Sequence, residues 1–180
     1  MIKKLSSKIV YQNPWMTVRE DDVEFANGHQ GIFGVVDKTD FALIIPFDGE
    51  KFHLVKQYRY ATQQDSIEFP QGKHEAGSKI SPVDLANAEL KEETGLVAGK
   101  VEEIGFLHEA AGYSNQGFHI YLATELVQEE SKLEVTEADL EHLTMTVEEL
   151  ETAMRRGKIT DAPTVAAYGL LQITKPVKSA

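Results

Sequence analysis

An α/β sandwich built on a mixed sheet is the fold this sequence predicts, and three observations predict it. The front half alternates between strand-like apolar stretches and glycine turns, one capped and acidic helix stands near the middle, and two helices close the chain.

Each element has a local reason. Trp15 to Phe25 alternates loosely, Asn27-Gly28 is a strong hairpin turn and Gly31 to Val36 returns, which makes an N-terminal antiparallel piece. Asp48-Gly49 marks a second hairpin, joining the apolar run Phe41 to Phe47 to the strand pattern Phe52 to Tyr58. Ser66 to Phe69 is strand-like and runs into Pro70-Gln71-Gly72 and a long loop. The helix that follows has Ser81 as N-cap, Pro82 in its first position, Asp84 as the capping-box acid and Gly95 as its stop. Strands are expected at 100–108, 117–125 and 140–146, then helices at 147–156, ended by Gly157, and at 162–173, ended before Pro176. Internal repeats and long low-complexity segments are absent.

The central helix carries the chemistry. Glu89, Glu92 and Glu93 stand at i, i+3 and i+4, so they rise from one face, while Leu85, Ala86, Ala88, Leu96 and Val97 supply no countercharge and Lys91 points elsewhere. Each like-charge pair costs a few tenths of a kcal/mol in an isolated helix, which a protein tolerates where a cation sits. Hard oxygen donors suit Mg²⁺ or Mn²⁺. The plainer alternative is a solvated helix face, and the long, Gly- and Pro-punctuated loop just before the helix weighs against it.

Composition excludes several classes. The 180 residues suffice for one domain, or one catalytic domain with a small appendage, and 42% hydrophobic with 26% charged residues is ordinary for a globular protein. The 18 basic against 29 acidic residues give a net charge of −11, which argues against nucleic acid and against an anionic membrane as partners. The lack of cysteine excludes disulfides, a thiolate nucleophile and Cys-based zinc sites. The first residues hold no apolar run of the signal type, and no segment approaches the length of a membrane span, so the cytoplasm is the expected compartment.

Glu89-Leu90-Lys91-Glu92-Glu93-Thr94-Gly95-Leu96 resembles the E-U-x-E-E-x-G-U half of the signature of the Nudix hydrolases, where U is aliphatic. The first half of that signature departs: its arginine falls on Ala88, and seventeen positions separate Gly72 from Glu89 where the family has fifteen. The family's first glutamate falls on Ile80 or Ser78 depending on the direction of counting, and Glu75 in the loop is a weak substitute. Gln57-Tyr58-Arg59, Ile67 to Gly72 and Gly157 to Ala162 resemble segments of the ADP-ribose and nucleoside-diphosphate-sugar branch.

This resemblance implies a Nudix-type α/β/α sandwich over residues 40–175, preceded by N-terminal antiparallel strands over 1–39 that serve as a dimerisation element. It implies a homodimer and a nucleoside-diphosphate-linked small molecule as substrate, with Trp15 or Phe33 as candidate stacking partners for a base. Glu89 and Glu93 are expected to be catalytic, and Gln71, Gly72, Glu89, Glu92 and Glu93 to ligate Mg²⁺ or Mn²⁺, the first two through a backbone carbonyl. Arg59 is expected to clamp phosphate, its guanidinium being a fixed fork of donors, and Glu68 to bond the base or ribose. Glu137 is the candidate general base; Thr136 and Ala138 fall where family acids stand, and Gln116 replaces an acid found in some relatives. His53 and His119 lie in strand patterns as structural residues, whereas His74 lies in the loop within reach of phosphate.

Two functions of different class follow. One is metal-dependent hydrolysis of the pyrophosphate bond of ADP-ribose or a related sugar nucleotide, to a nucleoside monophosphate and a sugar phosphate. The other is a nucleotide-binding or sensor module of the same fold, which the lost signature residues favour and three mutually repelling carboxylates oppose. A hydrolase of dinucleoside polyphosphates or oxidised nucleotides is a lesser option, disfavoured by the Ile67 to Gly72 and Gly157 to Ala162 segments.

Overall fold

A computed structural model of the chain describes residues 1–73, 79–129 and 139–177. The central strand β4 (Phe41–Pro46) comes from a continuous apolar run, and such a run fits a strand buried on both faces. It pairs in parallel with β9 (Gly117–Gln128) and antiparallel with β7 (Gln71–Lys73), while β8 (Leu96–His108) completes a mixed four-stranded sheet beyond β9. Alternation sends Ala42 and Ile44 to one face, against Leu85, Ala86 and Leu90 of α1 (Pro82–Thr94). Leu43 and Ile45 face the other way, into a core with Phe52, Phe69 and the helices α2 (Val147–Arg155) and α3 (Ala162–Thr174). Helices thus cover both faces, giving the expected α/β/α layers.

Beside that sheet lies a three-stranded antiparallel one, in which β5 (Lys51–Arg59) is flanked by β10 (Glu141–Thr146) and β6 (Gln64–Glu68). The second hairpin is therefore corrected. The turn exists: Gly49 has φ 104° and the Asp48 carboxylate accepts from the backbone of Glu50 and Lys51 at 2.8 and 2.7 Å. Yet β4 and β5 share only a bridge between Phe47 and Phe52. Both edges of β4 are taken by β7 and β9, so β5 has none left to pair with and swings into another sheet.

The N-terminal sheet has three strands where the sequence pattern suggests two: β1 (Lys3–Asn13), β2 (Met16–Glu24) and β3 (Gln30–Asp37). β1 escapes a period-two search because register shifts at Leu5 and Val10 break its alternation and nearly all of it is exposed. The remaining boundaries follow the sequence closely, with α1 capped by Ser81, whose hydroxyl accepts from the Asp84 amide and donates to the Asp84 carboxylate. Among the described residues no helix is long and apolar enough to cross a membrane.

β10 is an edge strand, tied across β5 by two imidazoles. His53 Nε2 lies 3.3 Å from Asp48 Oδ2 and His53 Nδ1 lies 3.0 Å from His142 Nε2. A carboxylate only accepts, so the neutral pair places a proton on His53 Nε2 and lets His142 donate to His53 Nδ1. Burial, and then the His53 charge, hold His142 below its ordinary 6.5. The unfolded chain therefore binds a proton that the native state resists, and stability falls as pH drops below that value. The melting temperature is expected to be lower at about pH 5.5 than at about pH 7.5, with a smaller drop in His142→Gln. Asp48, held below 3.8, titrates outside this window. Identical pH profiles for the two proteins would remove the pair from the account.

Candidate active site

A cleft of about 1360 Å³ opens where the β1–β2 turn, the β3–β4 connection, β6, β7, α1 and the start of α3 meet. Its walls are anchored by backbone bonds. Asn13 Oδ1 accepts from Trp15 and Met16 amides at 2.9 and 2.8 Å, which shapes the β1–β2 turn. Val36 donates to the Tyr113 carbonyl at 2.8 Å, and Ile44 to the Pro70 carbonyl at 3.0 Å, fixing the N-terminal sheet and the β6–β7 bend on the central body.

On the cleft wall, Glu68 is only 1% exposed. Its Oε1 accepts from Arg59 Nε at 2.8 Å, and its Oε2 from Arg59 Nη2 and from Gln71 Nε2, the latter at 2.7 Å. Burial pushes this carboxyl up, but the bonds and charge of Arg59, helped by Ser66 and Gln71, pull it to a net position below the usual carboxylate range. Arg59 is thereby aimed rather than free, and the charges of Asp161 and Glu93 also act on it. Asp161 caps α3 by accepting from the Thr164 amide at 2.8 Å, and burial, then the Glu68 charge, raise its pKa.

α1 presents its glutamates unevenly. Glu89 and Glu92 are partly buried and line the cleft, while Glu93 is 3% exposed. That burial argues against a purely solvated face, and the helix is not without a neighbouring cation, since Arg59 reaches it from β5. The Glu89 carboxylate lies where a Cβ on Gly72 would project, so only glycine leaves it that place. Among the described residues no three His, Asp or Glu side chains gather closely enough to cage a metal. Mg²⁺ does not require such a cage, because it takes one or two carboxylates and completes its shell with water and substrate phosphate. The donors here are all oxygen: Glu89, Glu92 and the buried, unsatisfied Gln71 Oε1, beside Gly72. They fit a hard divalent ion.

The other expected residues separate. Glu137, with Thr136 and Ala138, and the loop residues His74, Glu75 and Ser78 lie outside the described residues. Trp15 lines the cleft, 61% exposed, whereas Phe33 does not line it and packs near Phe25 with ring centroids 6.3 Å apart. Gln116 lines it too, fixed by donating to the Thr39 carbonyl at 2.7 Å. His53 bonds Asp48 and His142, and His119 packs edge-on against Phe106, both structural as expected. The cleft also holds Lys38, Lys73, Glu109 and Asp161, which the sequence pattern does not single out. Only the position of Lys73, next to Gly72, offers a signal.

Thr164, fully buried, links this site to α3 by accepting from the Phe69 amide at 3.0 Å. Thr164→Val keeps the volume and strands that amide, a loss of about 1–3 kcal/mol. The melting temperature should fall by at least about 2 °C. An unchanged value would show that the bond stabilises nothing.

Comparison with known proteins agrees with this geometry. The family model described as NUDIX domain matches residues 38–168, and the one described as nucleoside diphosphate sugar hydrolase N-terminal domain matches residues 2–36. The chain is 28% identical to an ADP-ribose pyrophosphatase of Bacillus subtilis (strain 168), covering 98% of this chain and 96% of that protein. It is 26% identical to the methanol dehydrogenase activator of Bacillus methanolicus, covering 98% and 95%. Its fold is similar to that of a crystallised ADP compounds hydrolase, with a TM-score of 0.83 at 23% identity and coverage of 98% and 97%. With the NUDIX match spanning most of its length and the acidic helix set against Gly72 in the cleft, the chain belongs to the Nudix hydrolase family.

Proposed function

We propose that this Nudix hydrolase cleaves the pyrophosphate bond of ADP-ribose or a related nucleoside-diphosphate sugar, releasing a nucleoside monophosphate and a sugar phosphate, and that it depends on Mg²⁺ or Mn²⁺. The observation that carries this reading is one cleft holding both the Glu89 and Glu92 carboxylates and the Arg59–Glu68 pair, with Trp15 at its edge. Relatives that carry the name ADP-ribose pyrophosphatase support the substrate class.

Glu89 and Glu92, with Glu93 behind them and Gln71 and Gly72 beside them, would hold the ion. When bound, it would neutralise charge on the diphosphate oxygens. Glu68 fixes the plane of Arg59, so the guanidinium meets a phosphate already oriented, without losing side-chain freedom on binding. Trp15 offers an exposed ring to the base. A homodimer formed through the N-terminal sheet belongs to the same reading, supported by the exposed Ile9, Val10 and Ile32 on that sheet and Ile2 just before it, each at least 50% accessible. The cytoplasm remains the proposed compartment.

ADP-ribose, ADP-glucose, GDP-mannose and UDP-glucose, each offered with Mg²⁺ or with chelator, form the direct test. Turnover is expected with at least one, lost with chelator and lowered by about two orders of magnitude in Glu92→Gln. Tight nucleotide binding without turnover of any of them would instead indicate a binding module.

Gly72→Ala separates positioning from folding. The atoms nearest the added Cβ are those of the Glu89 carboxylate, so the fold should persist while the carboxylate is displaced. Turnover should fall about 100-fold with the melting temperature nearly unchanged. Full activity would show that the Glu89 placement is not needed.

A further inference from the structure

We infer that Lys38 and Lys73 form a phosphate-receiving subsite separate from the Glu89 and Glu92 wall, which takes a phosphate of the diphosphate substrate. The inference rests on the reading above and names which side chains admit an anion to an acidic protein. Along β7 successive residues face opposite ways, so Gly72 turns toward α1 and Lys73 turns away from it. The Lys73 ammonium stands 6.0 Å from the centre of the Trp15 ring. Lys38 leaves the end of β3 and lines the same cleft.

Its backbone is held in place rather than loose. The Lys38 amide donates to Asn115 Oδ1 at 3.1 Å, and the Ser114 hydroxyl donates to the Val36 carbonyl at 3.0 Å. Lys38 and Lys73 line the same cleft as Trp15.

Neither lysine has a carboxylate within 4.0 Å among the described residues, in a chain whose acids outnumber its bases 29 to 18. Two acids of the cleft are engaged elsewhere: Asp37 accepts from Arg19 at 2.7 Å, and Glu68 from Arg59. Two cations of one cleft with no carboxylate beside them among the described residues match a ligand that supplies one. Their neighbour Trp15 places that anion next to an aromatic group, which is the order of parts in a nucleotide.

The test compares adenosine with its non-hydrolysable α,β-methylene diphosphate by calorimetry, in Mg²⁺, on the full chain. The wild type should bind the diphosphate more tightly. Lys38→Gln with Lys73→Gln should lose at least about tenfold of that affinity, with adenosine binding unchanged and a weaker dependence on salt. The Arg pair at the same positions should restore it to within about threefold. Diphosphate affinity retained within about twofold in the Gln pair, an equal loss for adenosine, or a wild type that does not prefer the diphosphate would each overturn the subsite. Turnover of the substrate panel by the wild type is read separately, so the subsite and the activity stand or fall independently.

Discussion

Much of this molecule depends on a carboxylate that has almost no contact with water. Glu68 is ionised in a place where an isolated charge would be untenable, and three bonds from Arg59 and Gln71 make it tenable. Those bonds fix β5 to β6 and orient the bend into β7. Because Phe69 follows Glu68 and donates to Thr164, the same corner also fixes the start of α3, where Asp161 stands. The charge of Arg59 then reaches Glu93 on α1. Four elements converge on one guanidinium, and the cleft is the space left between them.

The parts that could be read from sequence are those governed by neighbours along the chain. Ser81, Pro82 and Gly95 determine α1 by capping chemistry that spans a few residues, and the spacing of Glu89, Glu92 and Glu93 is a property of any helix. The apolar run at Phe41 to Phe47 likewise announces a strand. Its partners are not legible there, because both come from strands outside the local hairpin. β9 lies far along the chain, and its parallel pairing with β4 excludes the local hairpin that Asp48-Gly49 invites. β1 was hidden for a different reason: two register shifts remove the alternation on which strand recognition depends.

The site shows the same division. Which acids face α1's outer side follows from periodicity, but that Glu93 is buried while Glu89 and Glu92 line a cleft is decided by packing against β4, β7 and β8. The closeness of Glu89 to Gly72 illustrates this. In the sequence Gly72 reads as the start of the signature, seventeen residues before Glu89, but only the fold shows that its missing Cβ is what gives the carboxylate its position. The signature departures at Ala88, within α1, and at Ile80, just before it, leave the helix and β7 free to meet as they do, since that meeting rests on Gly72 and on α1 itself.

Charge placement explains how an acidic protein can serve an anionic ligand. At physiological ionic strength a surface charge is screened within about 8 Å, so the net −11 governs approach less than the few groups inside the cleft govern docking. Arg19 is committed to Asp37 at the wall, whereas Arg59, anchored by Glu68, is the oriented guanidinium proposed to meet a phosphate. On the proposed reading the remaining attraction comes from an ion held by the α1 glutamates and from Lys38 and Lys73. On that reading a ligand able to bridge both kinds of group, carrying two linked phosphates rather than one, is preferred over a neutral molecule that would leave the lysines uncompensated.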